Sequence, residues 1–194
     1  MANSSTPRST LLDQMIVVGA IAAGLAVVRE LSWDYIKALP APSSPAESWD
    51  YGRGLVIGIF LPFGVIGTMT VLCLDLRYPR PPLRRLSTRP GVLACIAVAL
   101  VLTLGLSGLL VAISVSYWFQ SEPFIINDAW VGRFLEIMAS HCGFGVAVAW
   151  LTSAYSGRWR PVPGWLDRIG IVLGVFWLGM IPLFNWPLIA RLKL

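Results

Sequence analysis

Five long apolar stretches occupy more than half of this 194-residue chain, at residues 11–28, 55–76, 92–118, 130–155 and 169–189. A helix needs about 20 apolar residues to cross a hydrocarbon layer about 30 Å thick. Only 13% of the residues are charged, whereas soluble domains contain about 25%, so an ordinary soluble fold is excluded. The sequence therefore predicts an all-α integral membrane protein, a bundle of about five transmembrane helices in which residues 1–194 form a single polytopic membrane domain.

The positively charged residues predict the orientation of these helices. Connectors on the cytoplasmic side of a membrane carry an excess of lysine and arginine. With five spans, the N-terminus and the connectors after the second and fourth spans share one side, which holds nine basic residues against six on the other. We therefore expect a cytoplasmic N-terminus and a location in a bacterial-type cytoplasmic (inner) membrane.

The connector at residues 77–89 contains the densest basic group: Arg77, Arg80, Arg84, Arg85 and Arg89. One interpretation is a topology anchor, because a membrane protein needs such a connector on its cytoplasmic side. The other is contact with anionic lipid headgroups, which clustered arginines attract. Nucleic-acid binding is not expected, because a dedicated binder spreads its basic residues over a folded face.

The metal-ligating residues are too few to predict a metal or cofactor site. The chain has three cysteines without CxxC spacing and a single histidine, a set that excludes a disulfide framework, a zinc ribbon and a bis-histidine haem. We therefore predict no cofactor and no bound metal.

The single histidine, His141, falls deep in the fourth apolar stretch. Ionisable residues at such a depth are candidates for function, since they are costly to place in hydrocarbon. Ser107 lies eleven residues before Trp118, and His141 lies eleven residues after Trp130. If both tryptophans mark the same membrane interface, each residue lies about 16 Å along its helix. A serine and a histidine within hydrogen-bond reach are the minimum for an activated serine nucleophile.

The residues around this pair carry a short resemblance to a known family. Gly105-Leu106-Ser107-Gly108 has the form GxSG, and Ser140-His141-Cys142-Gly143-Phe144-Gly145 is a histidine followed by closely spaced glycines. Both resemble the catalytic helices of the rhomboid intramembrane serine proteases, which use a Ser-His dyad. The resemblance covers about ten residues and implies Ser107 as nucleophile and His141 as base. The chain departs from the family in having five spans rather than six or more and in lacking its tryptophan-arginine loop motif.

Glycine and proline patterns predict local packing. Gly170 and Gly174 form a GxxxG pair, whose small residues let two helix backbones approach closely in lipid. Pro62, Pro182 and Pro187 predict local kinks or helix ends. Residues 39–48 contain three prolines and are predicted not to sustain a helix.

The carboxylates near the helix ends predict solvated or locally paired charges. Glu136 lies three residues after Arg133, a spacing that predicts an ion pair within one helix. Asp13 and Asp75 are expected at the cytoplasmic ends of their helices and to remain hydrated.

Three functions remain open from the sequence. The favoured one is a non-enzymatic scaffold or accessory subunit with a membrane-protein partner. The second is an intramembrane serine hydrolase with the Ser107–His141 dyad, which requires the two side chains to touch beside water. The third is a small carrier or channel-like protein with His141 lining the path, which requires a continuous polar cavity.

Overall fold

The computed structural model describes residues 11–32, 37, 45–77, 88–118, 128–160 and 164–191. Across these ranges the chain is helical except for a few connector residues, and they contain no strand. The α-helices are α1 (Leu11–Val27), α2 (Pro45–Leu55), α3 (Leu61–Asp75), α4 (Pro90–Trp118), α5 (Asp128–Tyr155) and α6 (Trp165–Arg191). Five segments are long and apolar enough to cross a membrane: Leu12–Glu30, Tyr51–Asp75, Pro90–Trp118, Trp130–Tyr155 and Trp165–Asn185. The prediction of an all-helical chain with five such helices is confirmed.

Two π-helical turns interrupt the regular α-helical geometry. One, Val28–Ser32, extends α1, and the other, Val56–Phe60, joins α2 to α3. The second turn immediately precedes Pro62, which has no N–H to donate and whose ring crowds the carbonyl group four residues earlier. A wider turn relieves that crowding, in agreement with the predicted distortion at Pro62, whereas α6 does not end at Pro182 or Pro187 and continues to Arg191.

The prediction for residues 39–48 is wrong at its C-terminal end, because α2 begins at Pro45. Proline is tolerated in the first turn of a helix, where its missing N–H would have no partner within the helix and its fixed φ suits the helical backbone. Residues 38–44 lie outside the described part of the chain. The second long helical segment therefore starts ten residues before the predicted span at 55–76.

Helices α4, α5 and α6 pack against one another, α3 lies against α4 and α6, and α1 packs on α3. Helices α4 and α5 are antiparallel neighbours, since Gly105 of α4 meets Met138 of α5 while Val101, one turn earlier, meets Gly145. The centre of the bundle is apolar, and Trp177 is its largest fully buried side chain. The main core cluster consists of Ile57, Leu61, Ala94, Val98, Ala139, Cys142, Val146, Trp177, Met180 and Phe184.

The predicted GxxxG pair brings α6 close to two other helices. A Cβ atom on Gly170 would lie 2.6–2.7 Å from the backbone of Gly91 in α4. One turn later, a Cβ atom on Gly174 would collide with the Trp150 ring of α5. The expectation that this pair serves close helix packing is confirmed, and the packing is within the chain.

Helix α4 is buried over only part of its length. Its six buried residues all lie between Pro90 and Val98. Beyond them, large side chains are exposed on the outside of the bundle: Leu100, Leu104, Leu106, Leu110, Val111 and Val115. The second half of α4 is therefore packed mainly on the side that faces α5.

Candidate functional site

Ser107 and His141 lie on the neighbouring helices α4 and α5, and both are exposed on the outside of the bundle. The Ser107 hydroxyl donates to the backbone carbonyl of Thr103 in its own helix. The Nδ1 atom of His141 lies 2.7 Å from the backbone carbonyl oxygen of Ile137, also in its own helix. Among the described residues, no hydrogen bond joins the two side chains, so Ser107 has no general base within hydrogen-bond distance.

Rotation about the α4 axis explains why a match in depth does not bring the pair together. Successive residues of an α-helix are about 100° apart, so Ser107 lies on the face opposite Val98, nine residues earlier. Val98 is fully buried in the core. Ser107 therefore faces away from the bundle, whereas His141 lies about 60° from Met138, the α5 residue that packs on Gly105.

Three hydroxyl-bearing residues of α4 share this outward face. Thr103, Ser107 and Ser114 are all exposed, and each donates its hydroxyl hydrogen to the carbonyl four residues earlier. Gly108 lies about 100° around the helix from Ser107, at the edge of this face, and no other described helix comes within 4 Å of the position where its side chain would begin. Thr103, Ser107 and Ser114 form the outward hydroxyl face of α4.

Other polar side chains link helices inside the bundle. The Trp177 indole N–H donates to the Thr68 hydroxyl at 3.1 Å, and the Asn185 amide donates to the Ser140 hydroxyl at 2.8 Å. Both contacts join helices that are distant in sequence, which is why no local spacing predicts them. They use buried or half-buried polar groups to fix α6 against α3 and α5.

An ion pair between α2 and α5 lies at one end of the bundle, here called the Arg53 end. Arg53 and Glu136 are 2.8 Å apart, and their side chains are only 13% and 22% exposed. The Arg53 guanidinium also lies 5.7 Å from the centre of the Phe184 ring. The predicted ion pair between Arg133 and Glu136 is therefore wrong. Tertiary packing instead brings Arg53 from α2 to the Glu136 carboxylate.

The opposite end, here called the Asp75 end, contains a second set of polar contacts. Asp75 lies 3.3 Å from Arg89, and Asp167 accepts a 2.9 Å hydrogen bond from the backbone N–H of Gly91. This N–H belongs to the first turn of α4, where the helix dipole favours a negative charge. The expectation that Asp75 stays hydrated is wrong, since the residue is 6% exposed.

Two of the five connector arginines are described, and both contact carboxylates. Arg89 pairs with Asp75, and Arg77 pairs with Asp13 at 2.9 Å. Arg80, Arg84 and Arg85 lie outside the described residues. The two arginines thus fasten α3 to its neighbours, and the lipid interpretation of the connector stays a prediction.

The described residues offer no cluster suited to a metal ion. Searched together, they contain no group of three or more histidine, cysteine, aspartate or glutamate side chains that could hold one. Cys73 is exposed, and Cys95 and Cys142 are buried without a disulfide partner. Comparison with known proteins adds no function, because no family model, no curated protein and no solved structure matches the chain.

Proposed function

We propose that the chain is an integral membrane protein of a bacterial-type cytoplasmic membrane and acts as a non-enzymatic scaffold or accessory subunit. Its five long apolar helices support this location. The excess of basic residues in the connectors at the Asp75 end supports an orientation with that end and the N-terminus in the cytoplasm. The observation that carries the scaffold role is the outward hydroxyl face of α4.

The outward hydroxyl face is better suited to a protein helix than to lipid chains. Each hydroxyl donates within α4, yet its oxygen keeps a lone pair that can accept a hydrogen bond from a second helix. Small residues also let backbones approach closely in lipid, and Gly108 lies at the edge of this face. By contrast, exposed positions of α6 such as Val172 and Val175 are purely apolar.

His141 is a second exposed polar residue, on the neighbouring helix α5. A carbonyl oxygen can only accept, so Nδ1 of His141 donates the hydrogen in the contact with Ile137. The other ring nitrogen, Nε2, belongs to the same exposed side chain. Because the hydroxyl oxygens of α4 can still accept, we expect the partner to be a membrane-spanning helix that presents a hydroxyl or amide donor to them.

The two alternative functions gain no comparable support. A hydrolase needs a base at Ser107, and the two candidate residues instead bond to their own helices. A carrier needs polar groups along a path, and the polar side chains Thr68, Ser140 and Asn185 are engaged in contacts between helices.

A photo-crosslinking amino acid at Val111 tests the proposed docking face in native membranes. Val111 is exposed on α4, one turn beyond Ser107 and Gly108, and Val172 on α6 provides an equally exposed control position. We expect a discrete protein cross-link from position 111 and none from position 172. Adding Gly108→Phe should reduce the product about tenfold, the effect of losing about 1.4 kcal/mol of binding free energy.

The matched control for Gly108→Phe is Gly179→Phe, because Gly179 on α6 also has open space at its Cβ position. It should leave the cross-link from position 111 unchanged. Equal products from positions 111 and 172, or a product that survives Gly108→Phe, would overturn the proposed docking face.

A further inference from the structure

Helix α1 touches α3 closely at two points and leaves a groove between them. At one point, a Cβ atom on Gly24 would lie 2.7 Å from the Phe63 ring. At the other, Asp13 forms its 2.9 Å ion pair with Arg77. The groove lies between these contacts and is closed on its third side by the first residues of α6.

The groove is apolar and has a volume of about 140 Å³. Its walls are formed by Val17, Ala20, Ile21, Phe63, Ile66, Gly67, Thr70, Val71, Leu74, Trp165, Leu166 and Ile169. The hydroxyl of Thr70 donates to the Ile66 carbonyl at 2.7 Å, so it presents no free donor to the groove. An apolar groove of this volume can accept part of a hydrocarbon chain.

One end of the groove leads to charged groups at the Asp75 end. Val17 follows Asp13 by one helical turn, and Leu74 precedes Arg77 by one turn, so the ion pair lies directly beyond the groove. The Arg77 side chain remains 42% exposed. Arg168, one turn after the groove residue Trp165, is exposed as well. The described residues at this end have a net positive charge, because five arginines outnumber three aspartates: Arg77, Arg89, Arg158, Arg160 and Arg168 against Asp13, Asp75 and Asp167.

These features match the two parts of a phospholipid. A guanidinium group has five N–H donors and binds phosphate oxygens well, and Arg77 uses one nitrogen for Asp13. We propose that this groove binds an anionic phospholipid, with an acyl chain between α1 and α3 and the headgroup phosphate on Arg77. The site rests on the membrane location proposed above, and it fills the gap between α1 and the rest of the bundle.

The test uses the purified full-length chain in nanodiscs with phosphatidylglycerol or phosphatidylcholine that carries a photoactivatable group on one acyl chain. Labelled peptides are located by mass spectrometry. We expect phosphatidylglycerol to label the groove walls of α1 and α3 about fivefold more than phosphatidylcholine does, because each arginine near the surface attracts an anionic headgroup. The assay contains no partner protein, so its result is independent of the proposed docking face.

Two pairs of variants separate the acyl-chain contact from the headgroup contact. Ala20→Trp fills the groove and should abolish the labelling, whereas Ala22→Trp, on an exposed side of α1, should not. Arg77→Gln should lower phosphatidylglycerol labelling to the phosphatidylcholine level, and Arg158→Gln, at an exposed position at the same end, should leave it unchanged. Equal labelling by the two lipids, or groove labelling that persists in Ala20→Trp, would overturn the proposal.

Discussion

Replacing Glu136 with glutamine is expected to lower the free energy of unfolding by about 3 kcal/mol, because it leaves the Arg53 charge without its carboxylate. The Arg53 side chain is only 13% exposed and lies between α5 and the Phe184 ring, so water cannot readily solvate it. Equilibrium unfolding in mixed micelles measures this loss. The loss comes from leaving one charge buried without its partner, because removing one residue of a buried ion pair costs more stability than replacing both residues with apolar ones.

Two further variants make that interpretation specific. The double variant Arg53→Met with Glu136→Leu should recover most of the lost stability, since it removes both charges and keeps the volume. Glu30→Gln is the matched control, because Glu30 and Arg29 form a 3.6 Å pair whose side chains are 83% and 74% exposed. Its change should stay below about 0.5 kcal/mol. A Glu136→Gln effect as small as that of Glu30→Gln would contradict this account of the pair.

The second large effect is expected from Gly170→Ala, which should destabilise the bundle by about 3 kcal/mol. The added Cβ atom would lie 2.6–2.7 Å from the backbone of Gly91, and a backbone cannot move aside as a flexible side chain can. Helices α4 and α6 must separate, which also stretches the 2.9 Å hydrogen bond from Gly91 to Asp167. The same unfolding measurement reports the change.

Gly179→Ala is the matched control on the same helix and should have the opposite sign. No atom of the described chain lies within 4 Å of its Cβ position, and alanine is favoured over glycine in a helix by about 1 kcal/mol. A stabilising Gly170→Ala, or equal changes at the two positions, would show that the α4–α6 crossing does not depend on direct backbone contact.

Length and apolarity were sufficient to predict the five long helices, because a chain in hydrocarbon must satisfy its backbone hydrogen bonds within each helix. The GxxxG pair Gly170 and Gly174 also predicted close packing, since small residues have one clear physical use in such helices. The start of α2 at Pro45 was missed because proline disrupts a helix interior but is accepted in its first turn.

The candidate site was harder to predict, because α4 is apolar on all of its faces. Its sequence therefore does not show which face is buried and which is exposed. Residues exposed on α4, such as Leu104, are as apolar as the buried Val98 on the same helix. Counting residues from the tryptophans therefore gives the depth of Ser107 but not the direction it faces. The Arg53–Glu136 pair was missed for a related reason, since local spacing offers only Arg133 and the true partner lies on another helix.

The proposals for a partner helix and a bound phospholipid share one central claim, that the bundle spans a membrane with its Asp75 end in the cytoplasm. Cysteine labelling of intact cells with a membrane-impermeant maleimide tests it directly. Trp118 and Arg158 are exposed at opposite ends of the bundle, and in a Cys73→Ser background the remaining native cysteines are buried. The account predicts that Trp118→Cys is labelled in intact cells and Arg158→Cys only after permeabilisation. Labelling of Arg158→Cys in intact cells would contradict it.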